Sequence, residues 1–225
     1  MRFDIISLFP ESLDPLFSIS LLGKARKKGL VEICLHRLED YLLPGEDIDD
    51  MPFGGGGGMV MKGEPIIRAV RGVRDKNLKG EVILLTPQGE TLRHRLVCEL
   101  ADLKQIVLIC GRYEGIDERV VELVVDREIS IGDFVLSGGE IPALAVVDAV
   151  ARLVPGVVCG KVPEDSFYDG MLKYPQYTRP RVVEGLPVPE VLLSGNHAEV
   201  ERWRKEESLE RTRRRRPDLV QNPSH

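Results

Sequence analysis

Residues 128–140 read EISIGDFVLSGGE. Ile129 and Ile131 alternate with polar neighbours, as at the end of a strand, and two glycine-containing breaks follow. Glu140 and the nearby Pro142 are typical of a first helical turn. A strand end, a loop with free main-chain groups and a helix start therefore lie within about a dozen residues. Such a stretch can hold a small ligand by main-chain atoms, although a plain connecting loop has the same pattern.

The same order of strand, loop and helix occurs twice earlier in the chain. One predicted strand ends in TPQG, residues 86–89, and another ends in GRYEG, residues 111–115. Alternating strands and helices favour an α/β fold with a mostly parallel sheet covered on both faces. Because such sheets bind ligands at the carboxyl ends of their strands, the three loops predict one site along one edge. The predicted strands are 3–8, 31–38, 81–85, 105–110 and the start of the opening stretch, and the main predicted helices are 18–28, 64–76, 91–100 and 140–154.

A long loop over residues 39–63 contains five consecutive glycines, Gly54–Gly58. This run favours neither a helix nor a stable strand, because glycine loses the most conformational freedom on folding. It is not a dinucleotide-binding motif, since Met59 stands where the last glycine of G-x-G-x-x-G belongs. The loop is therefore either disordered or able to close over a substrate.

The predicted helix over residues 140–154 is apolar almost all the way round. Its polar residues Glu140, Asp148 and Arg152 share one stripe, because they are spaced by eight and four. A helix with so little polar surface must be buried on more than one side, either in the core or against a second copy of the chain. Arg152 either forms an ordinary ion pair with Asp148 or is held by it for an anionic substrate group.

Composition restricts the class of protein. The 225 residues suit one large domain or one domain plus a small one, and 43% hydrophobic with 30% charged residues is ordinary for a soluble globular protein. No apolar run approaches the roughly 20 residues that cross a bilayer. Asp4 lies in the N-terminal segment, which has no long apolar region, so we expect no signal peptide, no membrane association and a cytoplasmic location.

The cysteines predict neither a disulfide framework nor a zinc site. They form no C-x-x-C pair and have no histidines at matching spacing, so we expect reduced and mostly buried thiols. The four residues are Cys34, Cys98, Cys110 and Cys159.

From Pro155 onward the composition changes. Proline and glycine recur without a clear period, which indicates a linker, yet its aromatic and charged residues suggest that part of it orders on a partner or substrate. A charged helix is predicted over residues 198–215, with Asn196 as a candidate N-cap. Residues 211–216 include five arginines, although the net charge of the chain is −5. The helix is therefore either a solvated surface helix or a local phosphate-contacting patch.

Seven motifs follow one another along the chain: PQG, GRYEGID, ISIGDFVLSGGE, DAVARLVPGV, EDSF, YTRP and LLSGNHAEVERWR. In this order they resemble the bacterial tRNA (guanine-N1)-methyltransferase family of the SPOUT superfamily, which modifies position 37 of tRNA. The resemblance extends from the N-terminal FDIISLFP to the charged C-terminal helix.

The resemblance implies a SPOUT-type α/β domain with a mostly parallel sheet and a C-terminal deep trefoil knot, followed by a small all-helical C-terminal domain. Its boundaries map to a methyltransferase domain over 1–159, a linker over 160–174 and a helical tRNA-binding domain over 175–225. The knot and the cofactor pocket map to roughly 82–154. It further implies a homodimer whose active site is shared between the subunits. Such a knot is rare among proteins, and nothing in the periodicity of the sequence predicts it.

The resemblance also implies the methyl donor, S-adenosylmethionine, and the residues of the site. Asp165 in EDSF matches the general base and Arg152 the residue that orients the guanine. A magnesium requirement is implied as well, without a metal-binding motif in the protein. The implied tRNA contacts are Tyr177, Arg179, Ser194, Asn196, His197 and Arg202. The implied donor contacts are Pro87, Gly111, Tyr113, Glu114, Ile131, Gly132, Asp133, Phe134, Val135, Leu136, Gly138 and Gly139.

Two other functions remain open at this point. A related SPOUT enzyme could act on ribosomal RNA or on a ribose 2′-OH, and the methylated nucleoside would separate these reactions. A non-catalytic RNA-binding module would bind the donor without turnover, but it gives no reason for Asp165 and Arg152.

Overall fold

Aliphatic residues that alternate between two faces build the central sheet of the computed structural model, which describes residues 1–158 and 165–221. The strands are β1 (Arg2–Ser7), β2 (Glu32–Arg37), β3 (Asp49–Asp50), β4 (Val60–Met61), β5 (Gly80–Thr91), β6 (Gln105–Cys110), β7 (Arg127–Ser130), β8 (Val182–Val183) and β9 (Leu186–Pro187). Five of them form one sheet in the order β2-β1-β6-β5-β7, and every neighbouring pair in it is parallel. The predicted α/β fold with a mostly parallel sheet is confirmed.

Helices cover both faces of the five-stranded sheet. The helices that belong with this sheet are α1 (Asp14–Phe17), α2 (Ser20–Lys27), α3 (Gly63–Val73), α4 (His94–Ala101), α5 (Glu118–Val124) and α6 (Glu140–Ala151). Two more helices follow later in the chain, α7 (His197–Arg215) and α8 (Asp218–Gln221). Alternate side chains of β6 enter two buried clusters, one with α2, α4 and α6 and the other with α3 and α5. Because both faces of the parallel sheet are covered, its strands are apolar on both sides.

The TPQG segment differs from the prediction. It does not end a strand, because β5 continues to Thr91 and the four residues form a bulge within it. Leu85 and Glu90 both pair with Ile129 of β7, so the extra residues lie between two paired positions. Helix α4 consequently begins at His94 and not at residue 91, since Leu92 still donates to the Ser130 carbonyl at 2.7 Å.

Two further predicted elements need correction. Helix α6 ends at Ala151, not at residue 154, because Leu153 and Val154 donate to carbonyls three residues back, as in a tightened last turn. The long loop over residues 39–63 contains the short antiparallel pair β3–β4, so the five glycines lie at the tip of a hairpin.

The chain divides into two compact units, Met1–Cys159 and Gly160–His225. The five-stranded sheet and helices α1–α6 belong to the first unit, and α7 and α8 to the second. In the second unit, Asn196 caps α7 as predicted, because its Oδ1 accepts from the Glu199 N–H at 3.4 Å. Part of the predicted linker, residues 160–164, and the predicted thiol of Cys159 lie outside the described residues.

The second unit also departs from the expected all-helical domain. It contains the hairpin β8–β9, whose turn residues Glu184 and Gly185 both have a positive φ. A two-residue hairpin turn of this type needs left-handed backbone at both central positions, which Gly185 adopts without strain. No helix in the described ranges, 1–158 and 165–221, is long and apolar enough to span a membrane.

A buried carboxylate joins the first strand of the sheet to its neighbours. Asp4 is fully buried and accepts hydrogen bonds from Arg2, His36 and Gln105 at 2.7, 2.8 and 2.7 Å. Burial acts to raise the pKa of Asp4, but the hydrogen bonds from His36, Arg2 and Gln105 outweigh it and hold the pKa below its ordinary value.

The low pKa of Asp4 predicts that part of the free energy of unfolding is lost in acid. Since the pKa of Asp4 is lower in the folded state, its contribution is complete above the unfolded pKa of about 3.9 and is lost as the pH falls through the folded pKa. We expect Asp4→Asn to lower the free energy of unfolding by about 1–3 kcal/mol near neutral pH. The stability of this variant should also fall less steeply than that of the parent as the pH is lowered. Thermal unfolding at a series of pH values from neutral to strongly acidic measures both effects. The same fall in stability with pH in the variant and the parent would contradict the role of Asp4.

Candidate active site

A cavity of about 450 Å³ opens at the carboxyl ends of β6 and β7, beside the bulge within β5. The bulge of β5 forms one wall, the GRYEG loop after β6 forms a second, and the loop between β7 and α6 forms the third. These are the three loops that the sequence placed along one sheet edge. The parallel order of the strands brings them together, because all three strands point their carboxyl ends the same way.

Eleven of the twelve predicted donor-contacting residues line this cavity. The twelfth, Asp133, is exposed and is not among the lining residues. The eleven are Pro87, Gly111, Tyr113, Glu114, Ile131, Gly132, Phe134, Val135, Leu136, Gly138 and Gly139.

Main-chain atoms of two loops meet closely at the floor of the cavity. Gly139 donates its N–H to the Gly111 carbonyl at 3.0 Å, and Arg112 and Gly138 form an isolated antiparallel bridge. A Cβ on Gly139 would lie 2.6 Å from the Cα of Cys110, which is backbone and cannot rotate away. The absence of a side chain at Gly139 is thus what allows the loop before α6 to lie against the end of β6.

The GRYEG loop has an unusual backbone. Tyr113 adopts a φ of +61°, a left-handed conformation that is uncommon for a residue other than glycine. Partial burial and a hydrogen bond with Asp49 raise the pKa of Tyr113, so the phenol stays protonated near neutral pH. Strain of this kind persists where surrounding contacts hold the backbone, and it is common at ligand-binding sites.

The glycine hairpin contacts the GRYEG loop directly, which the sequence did not indicate. Glu114 donates its N–H to the Met59 carbonyl at 3.1 Å, and Met61 donates to the Gly115 carbonyl at 3.0 Å. A Cβ on Gly58 would meet the side chain of Glu114 at 2.5 Å. The hairpin between β3 and β4 is therefore attached beside the cavity.

A buried polar network beneath the cavity was also missed. Glu140 accepts from Ser7 at 2.6 Å through one carboxylate oxygen and from Arg112 at 3.1 Å through the other. The Arg112 guanidinium lies 4.7 Å from the centre of the Phe9 ring. The only sequence signal was an acidic residue in a first helical turn, which suits any helix start.

The carboxylates of Glu114, Glu118 and Glu128 and the guanidinium of Arg112 also line the cavity. Cys110, at the end of β6, is buried and is not among the lining residues. Burial raises the pKa of the Cys110 thiol well above its ordinary value, so it stays a neutral thiol and a poor nucleophile. Within residues 1–158 and 165–221, no cluster of three or more His, Cys, Asp or Glu side chains is arranged to hold a metal ion.

The two candidate catalytic residues belong to different units. In the first unit, Arg152 follows the last residue of α6, and its N–H donates to the Asp148 carbonyl at 3.2 Å. In the second unit, the Asp165 carboxylate lies 3.9 Å from the Lys173 ammonium and lines a second cavity of about 190 Å³. The side-chain pairing of Arg152 with Asp148 stays a prediction.

The predicted tRNA contacts lie in the second unit, and their side chains have different local partners. Tyr177 is half exposed and packs at a tilt against Trp203, with 6.4 Å between the ring centres. Ser194 donates to the Val191 carbonyl, which secures the turn before α7, and Asn196 caps that helix. Arg179, His197 and Arg202 are exposed.

Comparison with known proteins gives one consistent result. A family model described as tRNA (Guanine-1)-methyltransferase TrmD matches residues 1–222 of this chain. A tRNA (guanine-N(1)-)-methyltransferase of Dictyoglomus turgidum is 51% identical, over 100% of this chain and 91% of its own length. The proteins with the same name from Geobacter sulfurreducens and Chloroflexus aggregans are 50% and 52% identical, each over 98% of this chain and over 91% and 88% of their own lengths. The chain therefore belongs to the tRNA (guanine-1)-methyltransferase TrmD family.

Proposed function

We propose that this protein transfers a methyl group from S-adenosylmethionine to N1 of the guanosine at position 37 of tRNA, next to the anticodon. The observation that carries the proposal is the cavity at the carboxyl ends of β6 and β7 and the bulge of β5, whose lining includes eleven of the residues that the family resemblance assigns to the donor. Family membership supplies the reaction class, because the named relatives are tRNA (guanine-N1)-methyltransferases.

The cavity is suited to a nucleoside-containing donor. Its volume of about 450 Å³ lies in the range of sites that bury small cofactors. Gly111, Gly138 and Gly139 line the cavity without side chains, so their main chain borders the space where the donor would lie. Leu136 and Val135 offer apolar surface to the faces of the ring.

The chemistry assigns separate roles to the two catalytic candidates. When bound, S-adenosylmethionine supplies a methyl group on a positively charged sulfur that is already electrophilic. Guanine N1 carries a proton, so a base must remove it as the new N1–carbon bond forms and the sulfur–carbon bond breaks, and we assign this role to the carboxylate of Asp165. As N1 loses its proton, negative charge spreads to O6, and we assign the guanidinium of Arg152 to stabilise it.

We also propose that residues 82–154 of the first unit form the deep trefoil knot of the SPOUT fold. The returning loop supports this topology: after β7, the chain comes back to the end of β6, where Gly139 bonds to Gly111 and Arg112 pairs with Gly138. The knot would keep the three cavity walls in a fixed arrangement, because none of them could move far from the others unless the chain were pulled back through the knot.

The active form is proposed to be a homodimer whose active site uses both subunits. Ile141 in the first turn of α6 is 60% exposed, although most of the helix is apolar and its inner face is buried. Covering such a surface with a second copy would remove it from water. Because the proposed substrate is tRNA, we propose a cytoplasmic location. We also propose that any magnesium ion required for activity binds the RNA.

The reaction is tested with two tRNA transcripts that differ only at position 37, one with guanosine and one with adenosine. After incubation with methyl-labelled S-adenosylmethionine, we expect 1-methylguanosine from the first transcript and no label in the second. Nucleoside mass analysis identifies the product. A 2′-O-methyl nucleoside, or equal labelling of both transcripts, would contradict the proposal. Donor binding without any turnover would favour a non-catalytic module.

A further inference from the structure

Both polar main-chain groups of Leu172 are bound to helix α7. The Leu172 N–H donates to Oγ1 of Thr212 at 2.9 Å, and the hydroxyl of Ser208 donates to the Leu172 carbonyl at 2.7 Å. Thr212 also donates its own hydroxyl proton to the Ser208 carbonyl at 2.6 Å, which orients its lone pairs toward Leu172. Two hydroxyls one helical turn apart thus act on a single residue of the segment before them.

Helix stability does not explain this pair of hydroxyls. Ser208 and Thr212 are the buried residues of α7, whose other side chains are mostly charged and at least partly exposed. Serine and threonine inside a helix compete with its main-chain hydrogen bonds and slightly weaken it. The contacts with Leu172 explain the pair instead. They supply partners to the main-chain N–H and C=O of that residue, and such groups are costly to bury without a partner.

The anchored residue is linked to Asp165 by a short path. Lys173, next to Leu172, donates its N–H to the hydroxyl of Ser166 at 3.0 Å, and Ser166 directly follows Asp165. The Lys173 ammonium lies 3.9 Å from the Asp165 carboxylate. The segment between them is closed by a hydrogen bond from Phe167 N–H to the Met171 carbonyl at 2.6 Å.

The same part of α7 carries the arginine-rich run. Arg211 donates to the Lys173 carbonyl at 3.5 Å, and residues 213–215 on the following turn are exposed arginines. The segment that carries Asp165 and the arginine-rich helix are therefore joined by hydrogen bonds where Ser208 and Thr212 lie. Arg204 over the Tyr174 ring at 4.9 Å and Arg216 over the Phe167 ring at 6.0 Å add contacts on either side.

We propose that Ser208 and Thr212 are positioning residues that hold Asp165 in place through Leu172, Lys173 and Ser166. The hydroxyl pair makes the base-bearing segment and the arginine-rich end of α7 one rigid piece, so docking of RNA phosphates on α7 sets the position of the carboxylate. This inference rests on the role of Asp165 in the proposed function, and neither hydroxyl contacts the substrate.

The test compares Thr212→Val, which keeps the shape but removes the hydroxyl, with Thr212→Ser, which keeps the hydroxyl. Under single-turnover conditions with saturating tRNA and donor, we expect Thr212→Val to lower the rate of methyl transfer roughly ten- to a hundredfold. Thr212→Ser should restore most of the rate. The affinities for donor and tRNA, measured by calorimetry and filter binding, should stay at parent values in both variants.

Ser208→Ala is a second variant, which removes the other hydroxyl of the pair. Because alanine favours a helix, α7 should stay folded in this variant even if Thr212→Val unfolds it. Glu206→Gln, at an exposed position of the same helix, is the control and should behave like the parent. Hydrogen exchange at the Leu172 amide reports the anchor itself, and we expect it to accelerate in Thr212→Val.

Three results would overturn the inference. Full single-turnover rate in Thr212→Val with faster exchange at Leu172 would mean that the anchor exists but does not position the base. Unchanged exchange would mean that there is no anchor. A loss of tRNA affinity with the saturated rate intact would assign the hydroxyls to RNA docking. Failure of the proposed role of Asp165 is recognised separately, because Asp165→Asn would then retain activity whatever the Thr212 variants do. Failure of the proposed function itself would appear as the absence of 1-methylguanosine from the guanosine-37 transcript.

Discussion

Asp165→Asn is expected to lower the rate of methyl transfer by roughly 10²–10⁴-fold and to leave the affinity for S-adenosylmethionine unchanged. Asparagine has nearly the same shape, but its amide cannot take the proton of guanine N1. The cavity that we assign to the donor belongs to the first unit, whereas Asp165 belongs to the second, so the substitution leaves every wall of that cavity intact.

Single-turnover methylation of the guanosine-37 transcript measures the rate, and calorimetry measures the donor affinity. Glu190→Gln is a matched control, because it also removes an exposed carboxylate from the second unit without touching the segment around Asp165. Methylation by Asp165→Asn at the parent rate would end the assignment of this residue as the base and would leave family membership intact.

Gly139→Ala is expected to lower the affinity for S-adenosylmethionine roughly ten- to a hundredfold. The new methyl group would lie 2.6 Å from the Cα of Cys110, so the loop before α6 must move away from the end of β6. Overpacking of this kind costs about 1–3 kcal/mol. The free protein relaxes by opening the cavity floor, and binding must restore it, so a similar free energy is lost from binding, at about 1.4 kcal/mol per tenfold.

Gly72→Ala is the control for this substitution. Gly72 is exposed near the end of α3, and a Cβ there would lie 3.5 Å from the nearest atom, a ring carbon of Tyr41. We expect it to raise the free energy of unfolding by about 0.5–1 kcal/mol, because alanine favours a helix. Urea unfolding should show a lower free energy of unfolding for Gly139→Ala and a higher one for Gly72→Ala. Calorimetry should show weaker donor binding for Gly139→Ala alone. Equal donor affinity in Gly139→Ala and the parent would show that the floor does not contact the donor.

Much of the site was predictable because its walls are local features. Each of the three walls is a short glycine-containing run beside a buried strand, and the parallel order of strands brings such runs to one edge. The error at TPQG had a local cause. Its proline and glycine are typical of a turn that ends a strand, but Glu90 pairs again with Ile129, so the strand resumes after the bulge.

Polar contacts between distant segments were not predictable in the same way. Glu140 looked like an ordinary first-turn acid, yet it binds Ser7, which is 133 residues away in the chain. The Leu172 anchor likewise depends on Ser208 and Thr212, whose hydroxyls have no periodicity that distinguishes them from a solvated serine or threonine.

By itself, the sequence determined the strands of the parallel sheet and the main helices around it, the loops that meet at its edge and the family. Each follows from residues that are neighbours in the chain or repeat at a fixed period, so folding is not needed to see them. Only the tertiary structure decided which buried polar groups meet, as where Gln105 reaches Asp4 across 101 residues. A buried donor or acceptor must find a partner when water is excluded, and that partner is chosen by packing in three dimensions and not by separation along the chain.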